Sequence, residues 1–220
     1  MPMPPGPFLL FGLNVLSAVV AFLTSYYAYR FNRMAENPLL SSITVGFMLL
    51  GVGLVAEAWT SLLLGRTLVE LAVSRELAVV ATFTYLSIQM GAYLAFAIGY
   101  AFLAFGRAGR MAGAAAVVAA APPIVDLFGL YRYAVVSYFV VLVLLAFIVF
   151  QGALIHSRTS TKFSLLVLLA FVLLLAAHVV ILVSVAALSG NLFLVGASVQ
   201  FLGFLSLLLF LLRSGRVGAG

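Results

Sequence analysis

The sequence predicts an all-α, polytopic membrane protein with seven transmembrane helices, and three observations carry that prediction. Apolar residues make up 66% of the 220-residue chain and charged residues only 7%. The mean hydropathy is +1.31, and so little charge cannot cover a water-facing surface. Apolar runs recur from end to end, each near the ~20 residues that a helix needs to cross a ~30 Å hydrocarbon layer. Runs such as VVSYFVVLVLLAFIVF (135–150) do not alternate polar and apolar residues, so barrel strands are excluded. In lipid every backbone polar group must be paired within its own segment, and a helix achieves this.

Seven spans follow, at about 7–30, 38–65, 77–106, 111–130, 133–156, 163–189 and 191–212, in a single transmembrane domain with no soluble domain. One side carries Arg30, Arg33, Arg107, Arg110, Arg158, Lys162, Arg213 and Arg216. The other carries Arg66, Arg75 and Arg132, balanced by Glu70, Glu76 and Asp126. Basic residues favour the cytoplasmic side, so the N-terminus is expected outside and the C-terminus in the cytoplasm of a cell-membrane protein. MPMPPGP lacks a basic n-region and the first apolar run is long, which reads as an uncleaved helix. The chain is basic, with a pI near 10.0, but its basic residues sit at span ends and form no nucleic-acid patch. The absence of cysteine excludes disulfides and thiolate chemistry.

The fourth span differs from the others. GAAAVVAAAPPIV (113–125) is built of small residues and then meets Pro122 and Pro123, which predicts a kinked helix packed closely by neighbours. A weak internal similarity brackets it. GFMLLGVG (46–53) pairs with AFVLLLAA (170–177), and IQMG with VQFLG, placing Gln89 opposite Gln200. Both triplets start on the same side, so the pattern is either chance likeness between apolar helices or a 3+1+3 parallel repeat of a kind found in transporters.

Ionisable groups inside the spans are few: Glu57, His178 and, near a helix end, His156. A charge deep in the bilayer costs about 3 kcal/mol or more, so such residues face the bundle interior and find a partner. Glu57 shares a helical face with Gly53, Thr60 and Ser61. His178 has only alanines and leucines beside it, so its partner must come from another helix. In the third span Thr82, Tyr85, Gln89, Tyr93, Phe96 and Tyr100 recur at steps of three and four and form one stripe. Gly91, Ala95 and Gly99 make a small-residue ladder on the opposite side, so this helix is expected at the centre of the bundle. The candidate polar cavity is therefore Glu57, His178, Tyr85, Gln89, Tyr93 and Gln200. The plainer reading of each is a packed core residue or a single interhelical hydrogen bond. Trp59, Tyr131 and Tyr133 read as interfacial anchors at one side, and Tyr26, Tyr27 and Tyr29 at the other.

Several chemistries are excluded by residue type. A retinal Schiff base needs a lysine within a late span, and the only lysine is Lys162, ahead of the sixth. Receptor signatures of the G-protein-coupled kind and the Pro-Gln pair of seven-helix sugar transporters are absent. A hydrolytic zinc site needs three ligands and an open position, which two distant histidines do not supply. No cofactor is predicted; haem held by His178 with Met48 or Met90 is chemically allowed, with no spacing to support it.

At YYAYRFNRMAENPLLSSITVGFMLLGVGLVAEA (26–58) the chain resembles the seven-helix membrane sensor modules that precede prokaryotic histidine kinases. There, a first helix ends in a basic turn and the second carries a late acidic residue. NLFLVGASVQFLGFLSLLLFLLRSGRV (191–217) is similar to small polytopic membrane proteins of archaeal type and unknown function. The first resemblance implies a sensing role, and with no output domain after Arg216 it implies a separate partner protein. The expectation is a non-enzymatic sensor or accessory subunit that binds a membrane or cytoplasmic partner, or a small amphipathic ligand, within the bundle. A small-solute or proton-coupled transporter is the alternative, and a redox or quinone-associated subunit the third.

Overall fold

Long apolar segments with few breakers become long helices, because only internal hydrogen bonding satisfies a backbone removed from water. In the computed structural model, residues 5–35, 38–67, 73–105 and 127–217 are described. They form α1 (Pro5–Ala35), α2 (Pro38–Thr67), α3 (Val73–Phe105), α4 (Leu127–Thr159), α5 (Lys162–Ala186) and α6 (Gly190–Val217). Among the described residues, α1, α2, α4, α5 and α6 are long and apolar enough to cross a membrane, which makes this a multi-pass membrane protein. The third helix carries the polar residues Thr82, Thr84, Tyr85, Ser87, Gln89, Tyr93 and Tyr100 among its apolar ones.

Two differences from the sequence-based boundaries are informative. Leu127–Leu130, read as the end of the fourth span, begin α4, because no breaker separates them from the next apolar run. The rest of that span, with Pro122 and Pro123, lies outside the described residues. The sixth span stops at Ala186 instead of Ser189, closed by a Schellman turn. Ser189 N–H donates to the Ser184 carbonyl at 2.9 Å and Leu188 N–H to that of Val185 at 3.3 Å. Leu188 occupies the left-handed region with φ 50°. At the opposite end of α5, Thr161 is the N-cap and its hydroxyl accepts from Ser164 N–H at 3.2 Å.

Among the described helices each packs on its chain neighbours, and α6 packs back on α1, so the six make a closed ring in chain order. The α1, α2, α4, α5 and α6 directions alternate, but α3 and α4 run the same way: Gln89 and Phe96 of α3 meet His178 and Phe171 of α5 in reverse order, and α5 also turns back on α4 at Ser160. Ser87 of α3 and Tyr133 of α4 join the two helices, their hydroxyls 2.9 Å apart. Arg30, Arg33, Arg158 and Arg213 gather at the end away from this contact, here the basic end. The third helix is not central, as its stripe had predicted; it is one stave of the ring, and the stripe points inward.

A ring of six helices leaves an axis that backbones cannot fill, and aromatic side chains fill it. Phe47 of α2 contacts Phe96 of α3 at 5.0 Å between ring centroids and Phe204 of α6 at 5.7 Å. Phe96 meets Phe171 of α5 at 5.8 Å. All four are buried, and their tilted and edge-on contacts are the favoured aromatic geometry, worth about 0.5–1.5 kcal/mol per pair beyond burial. Outside the ring, Val45, Met48, Val52, Val136, Phe139, Val143, Val179 and Val183 are exposed. Apolar residues on the outside as well as the inside are what lipid, not water, accepts.

Close packing depends on glycine at one position above all. A Cβ at Gly46 would collide with the Phe96 ring, which cannot retreat because Phe47 and Phe171 hold its other sides. Only half of the ladder expected on α3 is used: Gly99 sits against Ser42, while Gly91 has open space beside it. Gly46→Ala is expected to destabilise the protein by about 1–3 kcal/mol through overpacking. Gly91→Ala is expected to be neutral or to stabilise by about 0.5–1 kcal/mol through helix propensity. Thermal or denaturant unfolding in the same detergent compares them; equal effects of the two would contradict this packing.

Candidate functional site

At the end of the ring opposite the basic end, the axis is not filled. A cavity of about 550 Å³ opens there, with residues from all six described helices in its wall. The sequence explains why filling fails at this level. The inward positions are small or slender (Thr60, Ser61, Thr82, Ala134, Val185 and Gly190) where phenylalanines stand roughly 20 Å further in, at 1.5 Å per residue. Leu10, Leu86, Phe193 and Leu194 make the apolar wall, and Tyr138 and Asn191 add polar groups.

Glu57 and Tyr85 line this cavity together. The half-buried Glu57 carboxyl is hydrogen-bonded by the Tyr85 hydroxyl, and Tyr85 also reaches Tyr138 of α4. The expected face of α2 forms as read: Gly53 packs on Ile88 and Tyr85 of α3, and Thr60 and Ser61 are buried beside Glu57. Both hydroxyls donate back into α2, Thr60 Oγ1 to the Ala56 carbonyl at 2.9 Å and Ser61 Oγ to that of Glu57 at 3.0 Å.

His178 lies deeper, between the cavity and the aromatic layer, and is fully buried. Its Nδ1 is 2.8 Å from the Leu174 carbonyl, which can only accept, so Nδ1 carries the proton. Nε2 then accepts from the Gln89 amide, whose Nε2 is 3.0 Å away. The tautomer is thus set by its partners. Tyr93 stacks edge-on against the imidazole at 5.0 Å. This bond joins α3 to α5 across the axis, between two helices whose backbones do not pack on each other. Among the described residues, Gln89 Oε1, the Tyr93 hydroxyl and Gln200 Nε2 on α6 are buried without a hydrogen-bond partner.

The six predicted residues therefore divide into two levels. Glu57 and Tyr85 meet in the cavity, and Gln89, Tyr93 and His178 meet below it. Gln200 is buried but shares no hydrogen bond with either group among the described residues. Glu57 and His178 are not bonded to one another. Tyr138 was missed; its signal was the Ser137–Tyr138 pair, an isolated polar step in an apolar run. Tyr133 is a correction. It turns inward, stacks on Phe83 at 4.7 Å and is buried, whereas Trp59, Tyr131, Tyr26 and Tyr29 are exposed as expected of anchors. His156, near its helix end, is half-buried and bonded to Ser164 Oγ at 2.8 Å.

Haem ligation does not fit these residues. Both imidazole nitrogens of His178 are engaged, and Met48 faces the outside of the ring, 58% exposed. Among the described residues no three His, Cys, Asp or Glu groups converge as a metal site. No protein-family model, curated protein or solved structure matches the chain.

Gln89→Leu and His178→Phe are each expected to destabilise the protein, and the double variant less than the sum of the two. The coupling should be near the ~0.6 kcal/mol average for membrane interhelical bonds, with ~1.7 as the upper reach. A double-mutant cycle on unfolding measures it, and strict additivity would show that the bond carries no energy.

Proposed function

We propose that this protein is a non-enzymatic membrane module, a sensor or an accessory subunit, which takes a small amphipathic ligand into the cavity at Glu57. The observation that carries the reading is the cavity itself. It is concave and mostly apolar, carries a few convergent polar groups, and falls within the ~300–1,000 Å³ typical of small-molecule sites. Because every described helix contributes to its wall, an occupant touches the whole ring, as a sensor that passes occupancy to a partner protein requires. The aromatic layer beneath makes it a pocket instead of a pore.

In the full reading the chain has seven spans in a 3+1+3 parallel repeat. The parallel course of α3 and α4 supports a further crossing between them. Arg30, Arg33, Arg158 and Arg213 at one end support a cytoplasmic C-terminus and an outward-facing cavity. Ala134→Phe, which places a ring in the cavity, is expected to leave the folded yield unchanged and to abolish ligand carried through purification. Native mass spectrometry of the two proteins reads this. Wild-type protein that carries no small molecule from cell membranes, or a variant that carries the same one, would count against the reading.

A transporter is the second reading, favoured by buried polar atoms of Gln89, Tyr93 and Gln200 below the cavity that find no partner among the described residues. They offer a solute hydrogen bonds deeper in the bundle, and transport would then require the phenylalanine layer to part. This reading expects solute or proton flux in proteoliposomes that Glu57→Gln eliminates. Flux equal to that of empty vesicles across a broad solute panel would reject it.

A further inference from the structure

The cavity wall has a hydrogen-bonding polarity that selects among amphiphiles. Thr60 and Ser61 spend their single hydroxyl hydrogens on carbonyls of their own helix, so towards the cavity they present lone pairs alone. Glu57, at the same face, is bonded by Tyr85, and one such bond leaves most of a carboxyl's acceptor sites open. Three acceptors thus converge at positions 57, 60 and 61, one turn of α2. Glu57 is the only carboxyl among the described residues of the wall, and no lysine, arginine or histidine lines it there. Tyr85, Tyr138 and Phe193 supply aromatic rings nearby, which attract cations. Leu10, Leu86, Val185 and Leu194 complete an apolar compartment.

We propose that the ligand is an amphiphile headed by a primary ammonium, whose three N–H groups meet Glu57, Thr60 and Ser61 while its apolar body lies along the leucine-rich wall. The assignment rests on reading the cavity as a ligand site. An ammonium is three donors and no acceptor, the complement of this α2 face of the wall, and it brings the positive charge that a carboxyl in apolar surroundings lacks. A trimethylammonium keeps the charge but has no N–H, and an alcohol has one hydrogen and no charge. Two sources carry the same head: a free lipophilic amine, or an aminophospholipid reaching in from the bilayer.

The test uses the full chain in phosphatidylcholine nanodiscs, titrated with dodecylamine, dodecyltrimethylammonium and dodecanol against empty nanodiscs by calorimetry. Dodecylamine is expected to bind at least about tenfold more tightly than either analogue, a difference of about 1.4 kcal/mol. Glu57→Gln should weaken dodecylamine by about tenfold or more. Should that variant not fold, Thr60→Val with Ser61→Ala keeps the charge and is expected to bring dodecylamine down to the level of the trimethyl compound. Nanodiscs containing phosphatidylethanolamine separate the sources. Competition with dodecylamine assigns the bilayer lipid and its absence assigns a free amine, and either result upholds the ammonium head. Dodecanol binding as tightly as dodecylamine would overturn the ammonium assignment while leaving the amphipathic pocket intact. No binding by any of the three beyond empty nanodiscs would overturn the pocket as well.

Discussion

Six helices closed into a ring leave a central column that no pair of backbones can occupy, and everything else in this structure follows from how side chains fill it. In water the hydrophobic effect would drive the filling. In lipid it does not separate inside from outside, since acyl chains are as apolar as leucine. What remains is close packing and hydrogen bonding, and the column uses one at each depth. Phenylalanines from α2, α3, α5 and α6 interlock at one level. An amide and an imidazole bridge the axis at the next. At the last level the inward side chains are too slender to meet, and a cavity remains.

This arrangement explains the placement of the scarcest ionisable side chain. His178 reaches two acceptor-and-donor partners at once, the carbonyl one turn back on α5 and the amide of Gln89 across the ring. With both nitrogens engaged, its first role is to tie α3 to α5. Glu57 has the complementary situation. It stands where the column is empty, is bonded on one side by Tyr85, and keeps acceptor capacity directed at the cavity. Two residues that look equivalent as isolated polar groups in apolar helices thus divide into a structural bridge and a cavity-facing group.

Much of the site was legible. The stripe on α3 pointed to Tyr85, Gln89 and Tyr93 because helical spacing puts residues three and four apart on one face. The cost of burying polarity required His178 to find a partner on another helix. The small residues around Glu57 marked a protein-facing surface. The position of α3, the inward turn of Tyr133 and the role of Tyr138 were not legible. Each depends on which helices become neighbours, and a membrane helix that is apolar on every side carries no pattern to announce that. Tyr133 follows an interfacial arginine and has the composition of an anchor; only the approach of Ser87 and Phe83 turned it inward.

By itself the sequence determined that this chain lives in a bilayer, that it is helical, and which few polar groups could not face lipid. Those conclusions rest on run length, composition and helical period, which are properties of single segments. The tertiary structure alone decided that the helices close into a ring in chain order, that the polar groups separate into two levels, and that a cavity opens at one of them. The physical reason is that these are properties of the space between segments, where a phenylalanine or a serine at an inward position decides whether the axis is packed or empty.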